Sequence, residues 1–409
     1  MKRSLLLVIT ALVIMVVSIG AFAQSNEAQV KGTIIAPPIT RDLPSLKVHP
    51  PLYIFVPEGG IKPDAPPANA ENPGSIACIY GVTPPTSGCP RSGSPVATGG
   101  SKAIAVVEYG HNTNTQPDFN AFNTQYGLPA QTLQFICDCG SCPDNTGSGF
   151  DIETALDVEY AHAMAPNAQI IVAEFCSDPY QGGKSAAEYL AGQAVSGYGG
   201  GEVSNSFGYG GEFSGELSYD QYMTSPNVVY FASTGDSGCR TDYPEASPNV
   251  VAAGGTHIIR DSNGNFTGNE SVWSGSGGGI SSMEALPNYQ LIIGNIAGAH
   301  RGTPDVSADA DPNTGVAVYS TPVCHGWCQV GGTSVSSPVL AGIVNAAGHF
   351  YAQTSSENAH LYSWYRNPGQ YRQYLYDVTQ GSNGGSCGSA KVGWDKDTGL
   401  GTPRNLAGF

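Results

Sequence analysis

Positive charge is scarce in this sequence: 17 Lys and Arg stand against 33 Asp and Glu, and charged residues of either sign make up only 12% of the chain. So few basic side chains cannot neutralise a phosphate backbone, which argues against nucleic acid as a partner. Sparse charge also limits self-repulsion once carboxylates are protonated, which suits an acidic medium. Beyond the first two dozen residues no run is apolar enough to cross a bilayer. Internal repeats are absent. His and Cys do not recur at zinc-site spacing, and "CDCGSC" at 137–142, with Cys137, Cys139 and Cys142, is the one thiol cluster. Without a second cluster, disulfides are expected there rather than a metal. The ten Cys are an even number, as an exported chain would use, but their pairing cannot be read from sequence.

What is present divides into three stretches. "MKRSLLLVITALVIMVVSIGAFAQ" has a basic start, an apolar run and the small-x-small ending Ala21-Phe22-Ala23, so residues 1–23 read as a signal peptide. An uncleaved anchor is the alternative. Removal of the leader would leave a secreted, extracellular protein with no hold on a membrane. Residues 24–75 are rich in Pro, with "APPITRDLP", "HPPLYIFVP" and "KPDAPPANAENP", and read as a disordered tail or short pro-segment. Residues 76–409 read as one domain. In it "AIAVVEYG", "AQIIVAEF", "NVVYFAST" and "NVVAAGG" look like buried strands, alternating with the helical patterns "IETALDVEYAHAMA" and "SAAEYLAGQAV". That alternation predicts an α/β fold with a central, mostly parallel sheet and helices on both faces.

"GGTSVSSP" sets Ser334 among small residues before an apolar, helix-like stretch. A serine hydroxyl is a poor nucleophile without a base, for which His is the usual residue. His111, His162, His257 and His325 have no supporting context, and no His-Gly-Thr opens a helix. Carboxylates offer another route. Glu153 and Asp157 are four apart, so a helix stacks them on one face, where two like charges resist double ionisation. The same spacing fits an ordinary solvated helix face. Asp236, in "NVVYFASTGDSGC", follows a strand, where parallel sheets gather active-site groups, or is a turn Asp.

Together "ETALD", "STGDSG" and "GGTSVSSP", with "SNSFG", "RGTPDVSADADP" and "DVTQGSNG…GWDKDTGLGTP" in the same order, resemble the sedolisins, serine-carboxyl peptidases with a subtilisin-like fold. The resemblance runs from about Ile76 to Gly401. It implies a secreted endopeptidase active in acid, with Ser334 as nucleophile, Glu153 as base, Asp157 orienting Glu153, and a protonated Asp236 as oxyanion donor. Ser206 and Gly208 would line the substrate cleft. One structural Ca²⁺ would be held by the Asp377 and Asp395 carboxylates and the Val378, Lys391 and Gly393 carbonyls. Lys391 stands where small residues are common. Phe207 replaces a Trp that some relatives link to a further Glu, matched here by Glu108, so a shorter carboxyl network is expected. Relatives usually carry a long folded propeptide; only about fifty residues separate the leader from the domain. Substrates would be proteins or peptides, and a monomer is expected. The alternatives are an exopeptidase releasing tripeptides, and an inactive relative that only binds. Asn265 and Asn269 lie in glycosylation sequons.

Overall fold

The computed structural model describes residues 30–38, 40, 46–181 and 186–409, so the expected leader lies outside the described residues. The Val- and Ile-rich runs form parallel strands. In spatial order these are Val306–Asp309, Val251–Arg260, Val228–Ser233, Gly201–Asn205, Ala103–Tyr109, Gln169–Phe175 and Gln134–Cys137; Phe266–Val272 adds an antiparallel edge. The strand period of two feeds both faces of this sheet. Ile104 and Val106 join one hydrophobic cluster, Ala103, Ala105 and Val107 the other. The predicted α/β architecture is therefore present.

Strand order reverses at Ala103–Tyr109, whose neighbours are Gln169–Phe175 on one side and Gly201–Asn205 on the other. Such a reversal opens a crevice at the carboxyl ends of the strands. Two helices pack beside it. Phe150–Met164 is buried along its entire length, which disposes of the solvated-face reading of Glu153 and Asp157. Thr333–Ala347 lies against it at Gly342, where a Cβ would come within 2.5 Å of the Met164 Cβ and 3.0 Å of the Ala161 carbonyl. Glycine lets the two helices approach closely.

The Pro-rich segment departs from expectation. A second sheet, antiparallel throughout, runs Gly32–Ile35, Tyr53–Pro57, Gly326–Gly331, Val316–Ser320. Residues 46–75, read as disordered, are thus ordered. Tyr53, Ile54, Phe55 and Val56 are good strand formers hidden between prolines, and Ile54 and Phe55 are buried. Asn72 caps a helix, Pro73–Ile79, by accepting from the Gly74 and Ser75 N–H groups, so the boundary expected at residue 76 falls inside an element.

All ten Cys are paired: Cys78–Cys89, Cys137–Cys142, Cys139–Cys176, Cys239–Cys387 and Cys324–Cys328. The "CDCGSC" cluster is two disulfides. Among the described residues no helix is long and apolar enough to cross a membrane.

Candidate active site

The helical spacing of Glu153 and Asp157 carries both into the interior, where they meet Glu108 from the end of the central strand; all three are inaccessible to solvent. Burial pushes each carboxyl well above the usual carboxylate range, and repulsion from its neighbours raises Glu108 and Glu153 further. Asp157 receives the donors: the Ser206 hydroxyl bonds its Oδ1 at 3.0 Å. Burial dominates at Asp157, and its contacts with Ser206, Glu108 and Glu153 act in the opposite sense, to lower its pKa, so the row titrates as a unit. Thr154 donates to Glu108 Oε2 at 3.4 Å. The carboxyl network is thus longer than the Phe207 substitution led us to expect, because Glu108 reaches Asp157 directly.

Ser334 opens the Thr333–Ala347 helix and faces Glu153. Its hydroxyl lies close enough to lower the Glu153 pKa, yet neither Ser334 Oγ nor either Glu153 oxygen has a well-aligned hydrogen bond. Catalytic hydrogen bonds are often loose in a resting site. Before the helix, Gly332 sits at φ 125°, where a side chain would strain the backbone and run into the Asp236 carboxyl and the Pro51 carbonyl. Asp236 follows the Val228–Ser233 strand. Its Oδ1 accepts from the Thr333 N–H and hydroxyl, both at 2.9 Å, while the buried Oδ2 has no partner. Asp236 is only half-buried as a residue, but its carboxyl is covered, and burial pushes its pKa up to about 8. Thr333 was not singled out within "GGTSVSSP", and Ser206 was expected to line the cleft through its backbone, whereas its hydroxyl bonds Asp157.

The cleft between these elements is occupied by the protein's own chain. His49 and Gly208 exchange two backbone hydrogen bonds, each of 3.0 Å, as an antiparallel pair. Pro51 presents its carbonyl to the Ser334 N–H at 3.3 Å. Tyr53 pairs with Gly331, and the segment continues as a strand. Gly208 therefore presents backbone to an extended chain, whereas Ser206 directs its side chain into the carboxyl row. A cleft of about 500 Å³ remains beside the segment, between Pro50, Pro51, Thr234, Gly235, Ser237 and Arg240.

Histidines take no part in the row. His111 pairs with Glu174 at 2.6 Å and His257 with Asp311 at 2.9 Å. His162 bonds the Pro129 carbonyl at 3.0 Å, and burial lowers its pKa to about 4.

The C-terminal loop brings Asp377 to the Gly393 N–H and Asp395 to the Lys391 N–H, two of the residues predicted to hold the ion. Gly393 N–H donates to both Asp377 oxygens at 3.1 and 3.0 Å, and Lys391 N–H to Asp395 Oδ2 at 2.7 Å. Tyr371, whose hydroxyl bonds Asp377 Oδ1 at 3.3 Å, feels both carboxylates. Burial raises both, Asp395 to about 6. Two carboxylates raised by desolvation, without an ion pair among the described residues and in one Gly-rich loop, supply oxygens of the kind a hard cation takes.

Similar proteins bear on this geometry. No family model matches the chain. Sedolisin of Pseudomonas sp. is 26% identical over 398 residues, 87% of this chain and 63% of its own length. Kumamolisin of Bacillus sp. is 29% identical over 343 residues, 75% of this chain and 59% of its own. The chain thus spans roughly three fifths of these curated relatives. Among solved structures, Pseudomonas sedolisin, titled a serine-carboxyl proteinase, superposes with a TM-score of 0.63 at 24% identity, covering 83% of this chain and 96% of that one. The chain is thus similar to the sedolisins in sequence and shares their fold. Sphericase superposes with a TM-score of 0.51 at 18% identity over 81% of this chain and 97% of its own, in keeping with the subtilisin-like form of the sedolisin fold.

Proposed function

We propose that this protein is an exported endopeptidase of the sedolisin kind that hydrolyses flexible or unfolded protein in acid, with Ser334 as nucleophile. The observation that carries the reading is the convergence beside Ser334 of a buried carboxyl row and of Asp236, which bonds the adjacent Thr333. Glu153 takes the Ser334 proton as the hydroxyl attacks the peptide carbonyl, and returns it to the leaving nitrogen. Asp157 and Glu108 hold the row's remaining protons so that Glu153 can be the ionised member. The oxyanion is collected by the Ser334 N–H and by Asp236, whose free Oδ2 must carry a proton to donate. Below about 8 it does.

Catalysis should therefore fade as pH rises through about 8, and sit at an acidic optimum where an imidazole base would be charged. Measuring kcat/KM against pH on an unfolded protein tests this; an optimum near neutrality or above would sink the serine-carboxyl reading. Replacing Asp236 by Asn, a donor at every pH, should remove the alkaline fall, and an unchanged fall would take the oxyanion role from Asp236.

Tripeptidyl-peptidase 1 of Dictyostelium discoideum is 27% identical over 345 residues, so removal of tripeptides is the second reading. Chain running from Leu46 to Pro51 on the amino-terminal side of Ser334 favours the endopeptidase, because a cleft for three residues would be closed before that point. Retention of Ser334, Glu153, Asp157 and Asp236 counts against an inactive binding protein. The disulfides are compatible with export.

A structural Ca²⁺ would be held by Asp377, Val378, Lys391, Gly393 and Asp395, screening carboxylates that burial otherwise keeps uncomfortable. Chelation at pH 7 should lower the melting temperature by several degrees. The effect should shrink at pH 4, since protons compete for Asp395 below about 6. It should vanish in Asp377→Asn; a melting curve indifferent to chelator would remove the ion from this loop.

A further inference from the structure

We infer that Cys137, Cys139, Cys142 and Cys176 are also a metal site: once a thiol reductant opens their two disulfides, the four sulfurs hold one Zn²⁺, or a cation of similar softness, in a tetrahedral thiolate cage. Three of these residues stand together in "CDCGSC", whereas Cys176 lies 34 residues beyond Cys142 and has no metal-site spacing of its own. The sheet supplies it. Gln134–Cys137 and Gln169–Phe175 are parallel neighbours with Cys137 opposite Glu174, so both chains leave the sheet side by side at their carboxyl ends. Asp138 N–H donates to the Glu174 carbonyl at 3.0 Å and Cys176 N–H to Asp138 Oδ1 at 3.2 Å, which carries the pairing beyond the strands. A turn closed by Gly140 N–H on the Cys137 carbonyl at 3.3 Å then brings Cys142 back to the same spot.

The sulfurs are arranged as a cage rather than as two separate bridges. Across the two disulfides, Cys142 Sγ lies 3.2 Å from Cys176 Sγ, and Cys137 Sγ lies 3.5 Å from Cys176 Sγ and 3.7 Å from Cys139 Sγ. All four sulfurs and an Asp138 oxygen fall within 4.8 Å of one another. Zinc–thiolate bonds of about 2.3 Å set the sulfur–sulfur edge of a tetrahedral site at about 3.8 Å, which the distances between the bridges already approach. Four thiolates select a soft cation over Ca²⁺ or Mg²⁺, and the Asp138 carboxyl offers an alternative oxygen ligand.

Access favours this cluster as well. Cys139 is exposed and Cys137, Cys142 and Cys176 are half-buried, whereas each of the other three disulfides has a buried cysteine: Cys78 and Cys89, Cys324 and Cys328, and Cys387. A soluble thiolate therefore reaches Cys139 first. Each bridge takes up two electrons and two protons from one molecule of a dithiol, which closes to its own disulfide; the cation then displaces four protons from the four thiols. Bound there, it would hold what the bridges hold. His111 N–H donates to the Pro143 carbonyl at 2.6 Å, and Asn145 Nδ2 donates to the Tyr109 carbonyl at 3.1 Å and to Thr154 Oγ1 at 3.5 Å, so this loop is tied to the first turns of the Phe150–Met164 helix.

The test reduces the full chain anaerobically near neutral pH with a limited amount of dithiol, removes the dithiol, maps the freed thiols by alkylation and mass spectrometry, and titrates with Co²⁺. Visible bands of Co²⁺ report tetrahedral coordination, and its near-ultraviolet charge-transfer band reports thiolate ligands. The four cluster thiols should be freed first, one Co²⁺ per chain should bind with both signatures, and Zn²⁺ should displace it. Cys176→Ser should weaken binding at least about a hundredfold, the upper end of what even an outer-shell change costs. The double variant Cys239→Ser with Cys387→Ser should bind as the wild type does. Should reduction unfold the chain, Zn²⁺ should restore its circular dichroism, because binding is then coupled to folding. A reduced chain without the tetrahedral thiolate spectrum overturns the inference, as does a spectrum that survives Cys139→Ser with Cys176→Ser, an equal loss in the Cys239 and Cys387 variant, or an unfolded reduced chain that Zn²⁺ fails to restore.

Discussion

Ser334→Ala and Glu153→Gln should each lower kcat/KM by at least several hundred-fold, and the double variant should fall no further than the worse single one. A nucleophile and its base act in one step, so losing either forfeits the same proton-coupled attack. Additive losses would mean that the two residues act independently, and full activity in Glu153→Gln would remove the carboxylate base. Glu153→Gln keeps size and burial while ending proton acceptance. It also withdraws a titrating neighbour from Asp157, whose pKa contact with Glu153 lowers. The variant's pH profile should therefore shift, and a loss caused by misfolding would leave no residual activity in which to see that shift.

How much of this site could be read beforehand depends on what each residue's signal was. Glu153 and Asp157 announced themselves through helical spacing, but spacing could not separate an exposed pair from a buried one; the all-round burial of Phe150–Met164 did. Asp236 was legible as a polar residue at a strand end, whereas its isolation from any base depends on Thr333, which neighbours it only in space. Glu108 was undervalued because Phe207 lacks a donor, and contact with Asp157 needs none from that position. The central sheet followed from its Val- and Ile-rich runs. The segment around Tyr53–Pro57 did not, because prolines on both sides mask a four-residue strand signal. Disulfide partners were beyond reach, since 148 residues separate Cys239 from Cys387.

Thermal stability should run opposite to the usual acid sensitivity, falling as pH rises from about 4 to about 8. Glu188, with a pKa raised to about 7, and Glu357 and Asp236, each raised to about 8, are carboxyls that burial holds protonated in the folded state. In the unfolded chain such groups titrate near 4. A folded pKa above the unfolded one gives stability that is complete below the unfolded value and is lost as pH climbs through the folded value, at about 1.4 kcal/mol per unit and group. Glu71 works the other way: its ion pairs with Arg260 and Arg91 hold its pKa down, and their contribution is lost only as pH falls through that lowered value. The raised group is larger, so the melting temperature should drop by roughly 10 °C or more between pH 4 and 8, at a few degrees per kcal/mol. Surface repulsion from the net charge of −16 predicts a similar trend but would be screened by 0.5 M salt at about one Debye length, whereas buried carboxyls would not respond. Glu357 separates the two further: both its oxygens lack hydrogen-bond partners, so Glu357→Gln should raise the melting temperature at pH 8 and leave it almost unchanged at pH 4. Equal effects at both pH values would show that its titration is not what limits stability.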